Sequence, residues 1–525
     1  MLSKVLKAAA GATTLGTIGI GCYIAADEGR RRSFKFCTAA GYMAFSYSGV
    51  EDEAKLKSLH KKHAPELLRL CTELGGYYIK LGQTLCGMGI LPEEYENELS
   101  NLLDNCPTKP VSVIQSVIES EFGKDLNEIF SDFDEVPIGS GSIGQVHRAT
   151  LKEGGKKVIV KVQYPDVEKY FRLDFQTMKF LMELDDSYGD KIGEVLEGIA
   201  CTFDNEFDYR REAFNMRKCR ENCLPKFGKK IYIPDYHDKY CSAKVLTMEE
   251  VPGVPIRSTL KSLVEEYAAR EGKTVDEFKA EMKAKYNDPA ELRKFLSSKG
   301  PSESAMDVYI AFTKASNFLS TAMGKLSGYE TTPSTVPLNG PKILRTLNEV
   351  HAYQIFVNGF YNSDPHAGNV LMMEDGRLGL IDYGGVATIE EDKRTSFAKL
   401  LVAISDKNDE KTIKYCKEFG FESKKLDKVY MMAYAYMCFH RGLNMDDMIS
   451  VGVPEDVNAL EIELYLNKRD QLLKCESQVI TVQRCANVLL GISGELNGGG
   501  SLSIAEMWRE PAIEYLKSIG EDIDV

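Results

Sequence analysis

The sequence contains few of the residues that make structural metal sites or disulfide frameworks recognisable. Its 525 residues include 7 histidines and one tryptophan, and its 13 cysteines form no CxxC pair. The closest two, Cys219 and Cys223, lie inside a predicted helix with no histidine or cysteine partner nearby. These absences disfavour zinc modules and disulfide-rich secreted domains, so we expect reduced structural thiols.

A surplus of positive charge is also missing. The 65 Lys and Arg residues are outnumbered by 78 Asp and Glu residues, which gives a formal net charge of −13. Sequence-independent binding of nucleic acid needs the opposite balance, so we predict no nucleic acid partner. The composition is 43% hydrophobic and 27% charged, as in folded proteins, and the length favours more than one packed unit.

Charge is absent from residues 8–26, which follow Lys4 and Lys7 and precede the basic run at residues 30–32. A segment of this length could just span a bilayer as a helix, although Gly, Ala and Thr make it weakly hydrophobic. A removable organelle presequence has the same basic, acid-free character. Both interpretations stay open, and either predicts targeting or membrane association through residues 8–26.

The order of helical and strand patterns predicts an α+β, two-lobed fold like that of protein kinases. Helical patterns fill the first folded portion, and strand signals begin near Val136. IGSGSIGQVHRATL and VIVKVQYP indicate three strands joined by glycine-rich turns, while KIYIPDYH and SAKVLTMEEV indicate two more after a helical insertion. Glu374-Asp375-Gly376 predicts a later hairpin, and the remainder from Thr388 is predicted to be helical.

These patterns divide the chain into five predicted parts. They are a targeting or anchor segment (1–50), a helical extension (51–130), an amino-terminal lobe (131–255), a mostly helical insertion (256–342), and a carboxy-terminal lobe with a helical tail (343–525).

A glycine-rich loop opens the strand region. Gly139, Gly141 and Gly144 with Val146 spell GxGxxGxV, in which backbone amides can approach nucleotide phosphates without hindrance from Cβ atoms. Three glycines also occur in ordinary hairpins, so the pattern alone is weak. Together with the intervening serines, the predicted nucleotide contacts here are Gly139, Ser140, Gly141, Ser142, Gly144 and Val146.

Lys161 follows in VIVKV, where strand alternation places it opposite Val160 and Val162. A lysine after a glycine loop is predicted to reach the phosphates and to be steadied by a carboxylate on a helix. The segment EFDYRRE offers Glu206, Asp208 and Glu212. On a helix, Asp208 and Glu212 share nearly one face and Glu206 points about 120° away from Glu212. The alternative is a salt-bridged surface with Arg210 and Arg211.

The most specific pattern is SDPHAGN followed by LIDYGG. Asp364 and Asn369 have the D-x4-N spacing of a kinase catalytic loop, and Asp382 opens DYG in the place of DFG. Asp364 is predicted to orient or deprotonate an acceptor hydroxyl, and Asn369 and Asp382 to ligate Mg²⁺ through oxygen. Further nucleotide contacts are predicted at the end of SAKVLTMEEV, from Met248, Glu249 and Val251.

Two departures separate this chain from ordinary protein kinases. Asn362-Ser363 precede Asp364 where those enzymes carry an arginine, and no A-P-E motif follows DYGG. The platform that binds peptide substrates is therefore predicted to be absent. This favours a small molecule, a lipid intermediate or water as the phosphate acceptor over a protein.

At these residues the sequence resembles the UbiB family of atypical kinases, also called aarF-domain-containing kinases. Its KxGQ motif stands at Lys80-Leu81-Gly82-Gln83, its ExD motif at Glu206-Phe207-Asp208, and its DPHxGN loop at 364–369. The resemblance implies that the KxGQ helix covers the peptide site and that Lys80 contacts the ExD acids, with Gly82 and Gln83 in the same regulatory motif. Glu212 then pairs with Lys161, and ATP and Mg²⁺ are the cofactors.

Two differences from many family members indicate a branch. Gly139-Ser140-Gly141-Ser142 replaces an alanine-rich loop that is thought to restrain autophosphorylation, and an acid- and arginine-bearing segment after GQ is missing. With residues 8–26, this looks like the mitochondrial lipid-homeostasis branch. We therefore expect an ATP- and Mg²⁺-dependent phosphotransferase or ATPase of lipid or isoprenoid-quinone metabolism, associated with the mitochondrial inner membrane or alternatively a plastid. A nucleotide-binding scaffold without turnover and a protein kinase acting in trans are the alternatives.

Overall fold

The computed structural model of the chain describes residues 27–50, 52–87, 91–104, 106–183, 206–286, 288, 291, 294, 300–327, 332–457, 461–496 and 502–521. The predicted targeting or anchor segment at residues 8–26 lies outside these ranges. Of the helices that are described, none is both long enough and apolar enough to span a membrane.

The helices and strands of the described ranges follow one another in chain order. The helices are α1 (Glu28–Tyr47), α2 (Glu53–Leu74), α3 (Gly76–Gly87), α4 (Glu93–Leu99), α5 (Asn101–Asp104), α6 (Val111–Phe122), α7 (Leu126–Ile129), α8 (Val167–Glu183), α9 (Tyr209–Phe227), α10 (Ile256–Arg270), α11 (Val275–Tyr286), α12 (Glu303–Ser327), α13 (Gly340–Tyr353), α14 (Glu391–Ser405), α15 (Asp409–Phe419), α16 (Lys428–Phe439), α17 (Met445–Ser450), α18 (Ile462–Arg469), α19 (Ser477–Leu496) and α20 (Ile504–Ser518). The strands are β1 (Phe130–Phe133), β2 (Gly139–Ser140), β3 (Gly144–Leu151), β4 (Lys157–Gln163), β5 (Ile231–Tyr232), β6 (Val245–Glu249), β7 (Gly253–Pro255), β8 (Phe360–Asn362), β9 (Val370–Met373), β10 (Leu378–Leu380), β11 (Val386–Thr388), β12 (Phe421–Ser423) and β13 (Leu472–Cys475).

The chain divides into two compact units. Unit 1 comprises Met1–Ala213 and Tyr236–Glu250, and unit 2 comprises Phe214–Asp235 and Val251–Val525. The mixture of separate sheets and many helices makes the fold α+β, as predicted. The five-part division drawn from the sequence stays a prediction.

Unit 1 is built on an antiparallel sheet in the order β1-β3-β4-β6, with β2 paired to β3. Val158, Val160 and Val162 of β4 are fully buried, as is Val245 of β6. Burial of these branched side chains removes apolar surface from water and stabilises the sheet. The three strands predicted from the glycine-rich region are confirmed.

The helices α1 and α3 pack against each other and against α8 through aromatic and charged side chains. Phe36 stacks on Tyr78 at a ring-centroid distance of 4.5 Å, and Tyr77 meets Phe171 edge to face at 5.1 Å. Arg32, from the basic run of the sequence, donates from Nε to the fully buried Asp174 at 3.2 Å. Burial raises the pKa of Asp174 to about 6, although the Arg32 guanidinium opposes this shift. Arg32 is therefore a structural residue of unit 1.

Unit 2 contains a sheet in the order β5-β10-β9-β7, and this order corrects one prediction. The strand predicted in KIYIPDYH was counted among the strands of the amino-terminal lobe. Only its last part joins the sheet of unit 1, where Tyr236 makes an isolated antiparallel bridge to Met248 of β6. Its first part, Ile231–Tyr232, runs parallel to β10, with Ile231 opposite Leu378. The fifth strand of the unit 1 sheet is β1, which begins before the first strand signal. Strands of two to four residues are too short to show the alternation that identifies them.

Other features of unit 2 divide into predicted and missed. β9 and β10 form the predicted antiparallel hairpin around Asp375-Gly376. The pair β12-β13 was missed, because the region after Thr388 was predicted to be helical. Between α13 and β8 the residues Gln354–Asn358 form a π-helical turn, a feature that is frequent at functional sites.

An aromatic cluster forms the core of unit 2 beneath this turn. Phe397 stacks on Phe419 with ring centroids 4.9 Å apart, and Trp508 meets both Phe356 and Phe397 edge to face. Such pairs add about 0.5–1.5 kcal/mol each to the stabilisation from burial. The cluster fixes α14 and α20 against the π-helical turn that precedes β8.

We predict that a side chain at Gly144 would disturb the packing of the unit 1 sheet, because β3 and β4 approach closely there. A Cβ atom at this position would lie 2.4 Å from the carbonyl oxygen of Val162. We expect Gly144→Ala to destabilise the protein by about 1–3 kcal/mol, the usual cost of overpacking. Gly139→Ala is the matched control, since no atom lies within 4 Å of its added methyl group. Unfolding midpoints followed by circular dichroism measure both, and equal shifts would contradict the packing argument.

His351 is predicted to make the stability of unit 2 pH-dependent. Its ring is buried in α13, and burial lowers its pKa from 6.5 to about 4. Between these values the unfolded chain binds the proton and the folded chain does not, so stability falls as the pH drops from about 6.5 to 4. Replacing His351 with Gln should flatten this dependence by an amount on the order of 3 kcal/mol. Urea unfolding between pH 4 and pH 7 tests this, and an unchanged slope is the contrary result.

Candidate active site

Lys161 and Glu212 form a two-pronged ion pair in unit 1. Lys161 Nζ donates to both carboxylate oxygens of Glu212, at 2.9 Å and 2.8 Å. The Glu212 side chain is only 6% exposed, so its charge is stabilised chiefly by this partner. Lys161 Nζ also lies 5.1 Å from the ring centroid of Tyr209. The strand β4 and the first turn of α9 thus hold the lysine in one orientation.

The glycine loop runs from β2 into β3, the strand that pairs with the Lys161 strand β4. Val146 lies opposite Lys161 across the two strands, and the Gly141 amide donates to the Gly144 carbonyl at 2.8 Å. No atom comes within 4 Å of a Cβ built at Gly139, and at Gly141 the nearest is 3.9 Å away. Ser142 is largely buried. The two leading glycines therefore leave open space beside the backbone, as a phosphate ligand requires.

The extension is tied to this loop through α5 and Cys106, which follows that helix. Gln83 Nε2 donates to the carbonyl of Leu102 at 2.8 Å and contacts Cys106 Sγ at 3.6 Å. The carbonyl of Cys106 in turn accepts a hydrogen bond from the hydroxyl of Ser140 in the glycine loop. A Cβ at Gly82 would lie 2.7 Å from the Cδ1 atom of Leu102, so glycine leaves room for that side chain. Gly82 and Gln83 hold the segment that contacts the loop.

The other residue of the KxGQ motif contacts one of the two ExD acids. Lys80 Nζ lies 3.2 Å from Glu206 Oε1, and both side chains are about one quarter exposed, at 23% and 24%. Asp208 instead pairs with Arg210 at 2.8 Å, and this neighbour lowers the pKa of Asp208.

The helical geometry expected for these acids is wrong in one respect. α9 begins at Tyr209, so Glu206 and Asp208 lie in the turn before it and only Glu212 is helical. The residue angles calculated for a continuous helix do not apply to Glu206 and Asp208. Because a turn frees Glu206 from the helix surface, its side chain can meet α3 while Asp208 stays close to Arg210.

The residues predicted at the end of β6 fall in different units. Met248 pairs with Ile159 in the sheet of unit 1, and Glu249 follows it as the last strand residue. Val251 belongs to unit 2, where its side chain packs with Leu371 and Met373. The side chains of Met248 and Val251 are buried. Their predicted nucleotide contacts stay predictions.

In unit 2 the catalytic-loop pattern is held by a network of hydrogen bonds. The Asp364 amide donates to Asn362 Oδ1 at 2.9 Å, and Asn362 Nδ2 donates to the Asp382 carbonyl at 2.8 Å. Both the amide and the hydroxyl of Ser363 donate to the Gly385 carbonyl. Asn362 therefore joins the loop that carries Asp364 to the DYG segment. The sequence indicated this residue only as a departure from the kinase pattern.

Asn369 and Asp382 lie on the wall of one small cavity. Its volume is about 10 Å³, close to the space of one water molecule, and Asn362 and Gln354 also line it. The Ile381 amide donates to the Asn369 carbonyl at 3.2 Å, while Asp382 Oδ1 accepts from the Gly384 amide at 3.0 Å. An amide oxygen and a carboxylate are hard donors, so this pair fits Mg²⁺, which takes few protein ligands alongside phosphate oxygens.

Arg484 is a site residue that the sequence reasoning missed. Its Nη2 atom donates to Asp364 Oδ2 at 2.6 Å from α19, 120 residues further along the chain. Charge assistance shortens such a hydrogen bond, while the partial exposure of both side chains, 42% and 32%, lets solvent screen it. Nothing in the helical pattern of α19 marks Arg484, because its partner is distant in sequence. Asp364 is thus engaged by a cation.

Comparison with known proteins identifies the family. The ABC1 atypical kinase-like domain matches residues 101–283 and 328–416, more than half of the chain. The chain is 27% identical to Protein ACTIVITY OF BC1 COMPLEX KINASE 3, chloroplastic, of Arabidopsis thaliana, over 69% of this chain and 42% of that protein. It is 27% identical to the Probable serine/threonine-protein kinase abkD of Dictyostelium discoideum, over 84% of this chain and 54% of that protein.

A bacterial relative has higher identity over a shorter region. The Probable protein kinase UbiB of Shewanella sp. (strain ANA-3) is 36% identical over 38% of each chain. The chain thus spans about half the length, or less, of the curated relatives it matches. The family predicted from the KxGQ, ExD and DPHxGN motifs is confirmed: the chain belongs to the UbiB and ABC1 family of atypical kinases and has its kinase-like fold.

Proposed function

We propose that this protein is an ATP- and Mg²⁺-dependent phosphotransferase or ATPase. The observation that carries the proposal is the two-pronged contact of Lys161 with the buried carboxylate of Glu212. In kinase-like folds such a pair positions the lysine for the phosphates of ATP, and the chain would otherwise gain little from burying the charge of Glu212. The glycine loop beside it offers backbone amides with open space at Gly139 and Gly141.

The residues of unit 2 supply the remaining roles in this proposal. Asp364 orients the acceptor hydroxyl or water and accepts its proton, and Asn362 holds the loop that presents it. Asn369 and Asp382 hold Mg²⁺, which neutralises charge on the phosphate oxygens when bound. No resident group other than this cation and ATP is required.

We propose a lipid or isoprenoid-quinone precursor, or water, as the acceptor, within mitochondrial lipid metabolism or, alternatively, that of a plastid. The sequence lacks the arginine and A-P-E motif of peptide-binding kinases, which supports a non-protein acceptor. The basic and apolar amino terminus supports an organelle membrane, and one relative is named chloroplastic. Two relatives are named probable protein kinases, so phosphorylation of protein is the competing activity to measure.

A nucleotide-binding scaffold without turnover is a second candidate function. It is favoured by the contact between Arg484 and Asp364, because a base engaged by an arginine is less available to an acceptor hydroxyl. In this proposal ATP changes the conformation of the protein, and the output is the binding of a lipid or a partner.

Replacing Asp382 with Asn separates the two candidates. We expect ATP turnover, measured as ADP release with and without lipid vesicles, to fall at least about 100-fold, as when one electrostatic stabiliser of a transition state is lost. Asp392→Asn, at an exposed position of α14, is the control and should keep the wild-type rate. If wild type binds Mg-ATP but turns over no faster than Asp382→Asn in either condition, the scaffold is the function.

Replacing Lys80 with Met tests the role of the KxGQ helix. We expect altered phosphate transfer, including autophosphorylation, with the fold retained, because a partly exposed ion pair contributes at most about 1 kcal/mol. Glu206→Gln should have the same effect, and the double variant should add little to either. Lys57→Met, at an exposed lysine of α2, is the control. A large drop in the unfolding midpoint would mean that Lys80 is structural.

A further inference from the structure

Unit 2 contains a large pocket to which the proposed chemistry assigns no role. Its volume is about 690 Å³, within the range of roughly 300–1,000 Å³ that small-molecule sites occupy. It is formed by the end of α9, the second half of α13, the π-helical turn, the start of α14 and the end of α20. Asp364, Asn369 and Asp382 do not line it. We call it the α13–α20 pocket.

Four aromatic rings form much of its wall. Phe227 meets Tyr353 edge to face at a centroid distance of 5.4 Å, and Phe356 lies 6.1 Å from Tyr515. Phe227, Phe356 and Tyr515 are buried in the protein, so their rings are held by packing on the side away from the pocket. A rigid apolar wall of this kind favours an apolar ligand body over a hydrated one.

Positive charges accompany the aromatic wall. Lys226 Nζ lies 4.6 Å from the ring centroid of Tyr353, and the guanidinium carbon of Arg394 lies 4.9 Å from that of Tyr515. Lys230 is already paired with Glu349. Of the other charged residues of the lining, the two cations Lys226 and Arg394 outnumber the one acid, Glu514. Both cations contact rings, and neither is paired with a carboxylate in the part of the chain that the structure describes.

Arg394 has an unmet hydrogen-bonding need. Its Nε–H is buried and has no acceptor among the described protein atoms, while Nη1 reaches the Val357 carbonyl only at 3.4 Å. A buried donor without an acceptor costs about 1–3 kcal/mol, more for a charged group. An anionic oxygen in the pocket that pairs with the guanidinium would offset this cost. The positive charge of Arg394 therefore favours an anionic ligand group.

We propose that the α13–α20 pocket binds a small amphipathic anion, in which one acidic group contacts Arg394 and Lys226 and an aliphatic chain lies against the aromatic wall. A carboxylate and a phosphate monoester share this chemistry. The site goes beyond the proposed phosphotransfer, since none of its residues belongs to the ATP and Mg²⁺ chemistry.

The single tryptophan of the chain gives a direct reporter. Trp508 is fully buried on α20, and its ring lies 6.4 Å from that of Phe356, which lines the pocket. Dodecanoate carrying a bromine on its chain quenches tryptophan only at short range. Titrated into the full-length protein below its micellar concentration, it should quench Trp508 saturably.

Competition defines the ligand class. Unlabelled dodecanoate and dodecyl phosphate should reverse the quenching, and the tighter of the two identifies the preferred acidic group. Dodecanol and dodecyltrimethylammonium should compete about tenfold less well or worse, because neither gives Arg394 an anionic acceptor. Quenching that does not saturate, or equal competition by the cationic amphiphile, would refute the proposal. Quenching that appears only with vesicles would also refute the proposal, because it would indicate binding to a membrane surface. Self-association of the protein without ligand binding would refute it as well.

Variants distinguish binding in the pocket from nonspecific binding of the amphiphile elsewhere on the protein. Arg394→Gln should weaken binding about tenfold or more, and Lys226→Gln by a few fold because that lysine is exposed. Lys229→Gln is the matched control, since this neighbouring exposed lysine does not line the pocket. Ile519→Glu places a negative charge at the exposed rim and should also weaken binding without loss of folding. Unfolding midpoints check each fold, and unchanged affinity in both Arg394→Gln and Ile519→Glu would overturn the assignment.

Discussion

The buried carboxylate of Glu212 is the constraint on which unit 1 depends. A charge that is almost fully removed from water is costly unless a partner with good geometry compensates it, and Lys161 donates to each of the two carboxylate oxygens. This requirement fixes the register of β4 against α9. It also places the lysine at a set distance from the glycine loop, because Val146 lies opposite Lys161 in the sheet. The contact between Lys161 and Glu212 thus both stabilises the packing of unit 1 and orients the lysine.

In unit 2 the loops that carry the acidic residues are fixed by hydrogen bonds between side-chain amides and the backbone. Asp364 and Asp382 stand on short loops that have little regular structure of their own, and loops of this kind need other groups to fix them. Asn362 does so from both ends, by accepting from the Asp364 amide and donating to the Asp382 carbonyl. The π-helical turn adds Gln354, whose side-chain oxygen accepts from the Asn362 amide at 3.1 Å. The loop geometry is thus set by two side-chain amides.

The sequence was informative where residue type and spacing carry chemistry, and less so where distant contacts decide. The family, the α+β class and the hairpin at Asp375-Gly376 followed from local patterns. The sheet membership of β1 and β5 did not, because pairing partners of such short strands are chosen by the tertiary fold. Arg484 could not be identified as a site residue for the same reason, because only its contact with Asp364, which is distant in sequence, gives it a role. The turn before α9 was missed because acids and arginines are compatible with both helix and turn.

The hydrogen bonds from Gln83 to the segment at Leu102 and Cys106, and from that segment to Ser140, have a thermodynamic consequence. They form a continuous set of contacts between the KxGQ helix and the glycine loop. A ligand that changes the free energy of this loop must then change the free energy of the helix contact, and the coupling has the same size in both directions. The effect of nucleotide on attachment of the helical extension, and the effect of that attachment on nucleotide affinity, are therefore two measurements of one coupling free energy. Displacement of the extension, whether by a membrane or by a partner, therefore changes the free energy of nucleotide binding by this coupling free energy. Nucleotide binding changes the free energy of that displacement by the same amount.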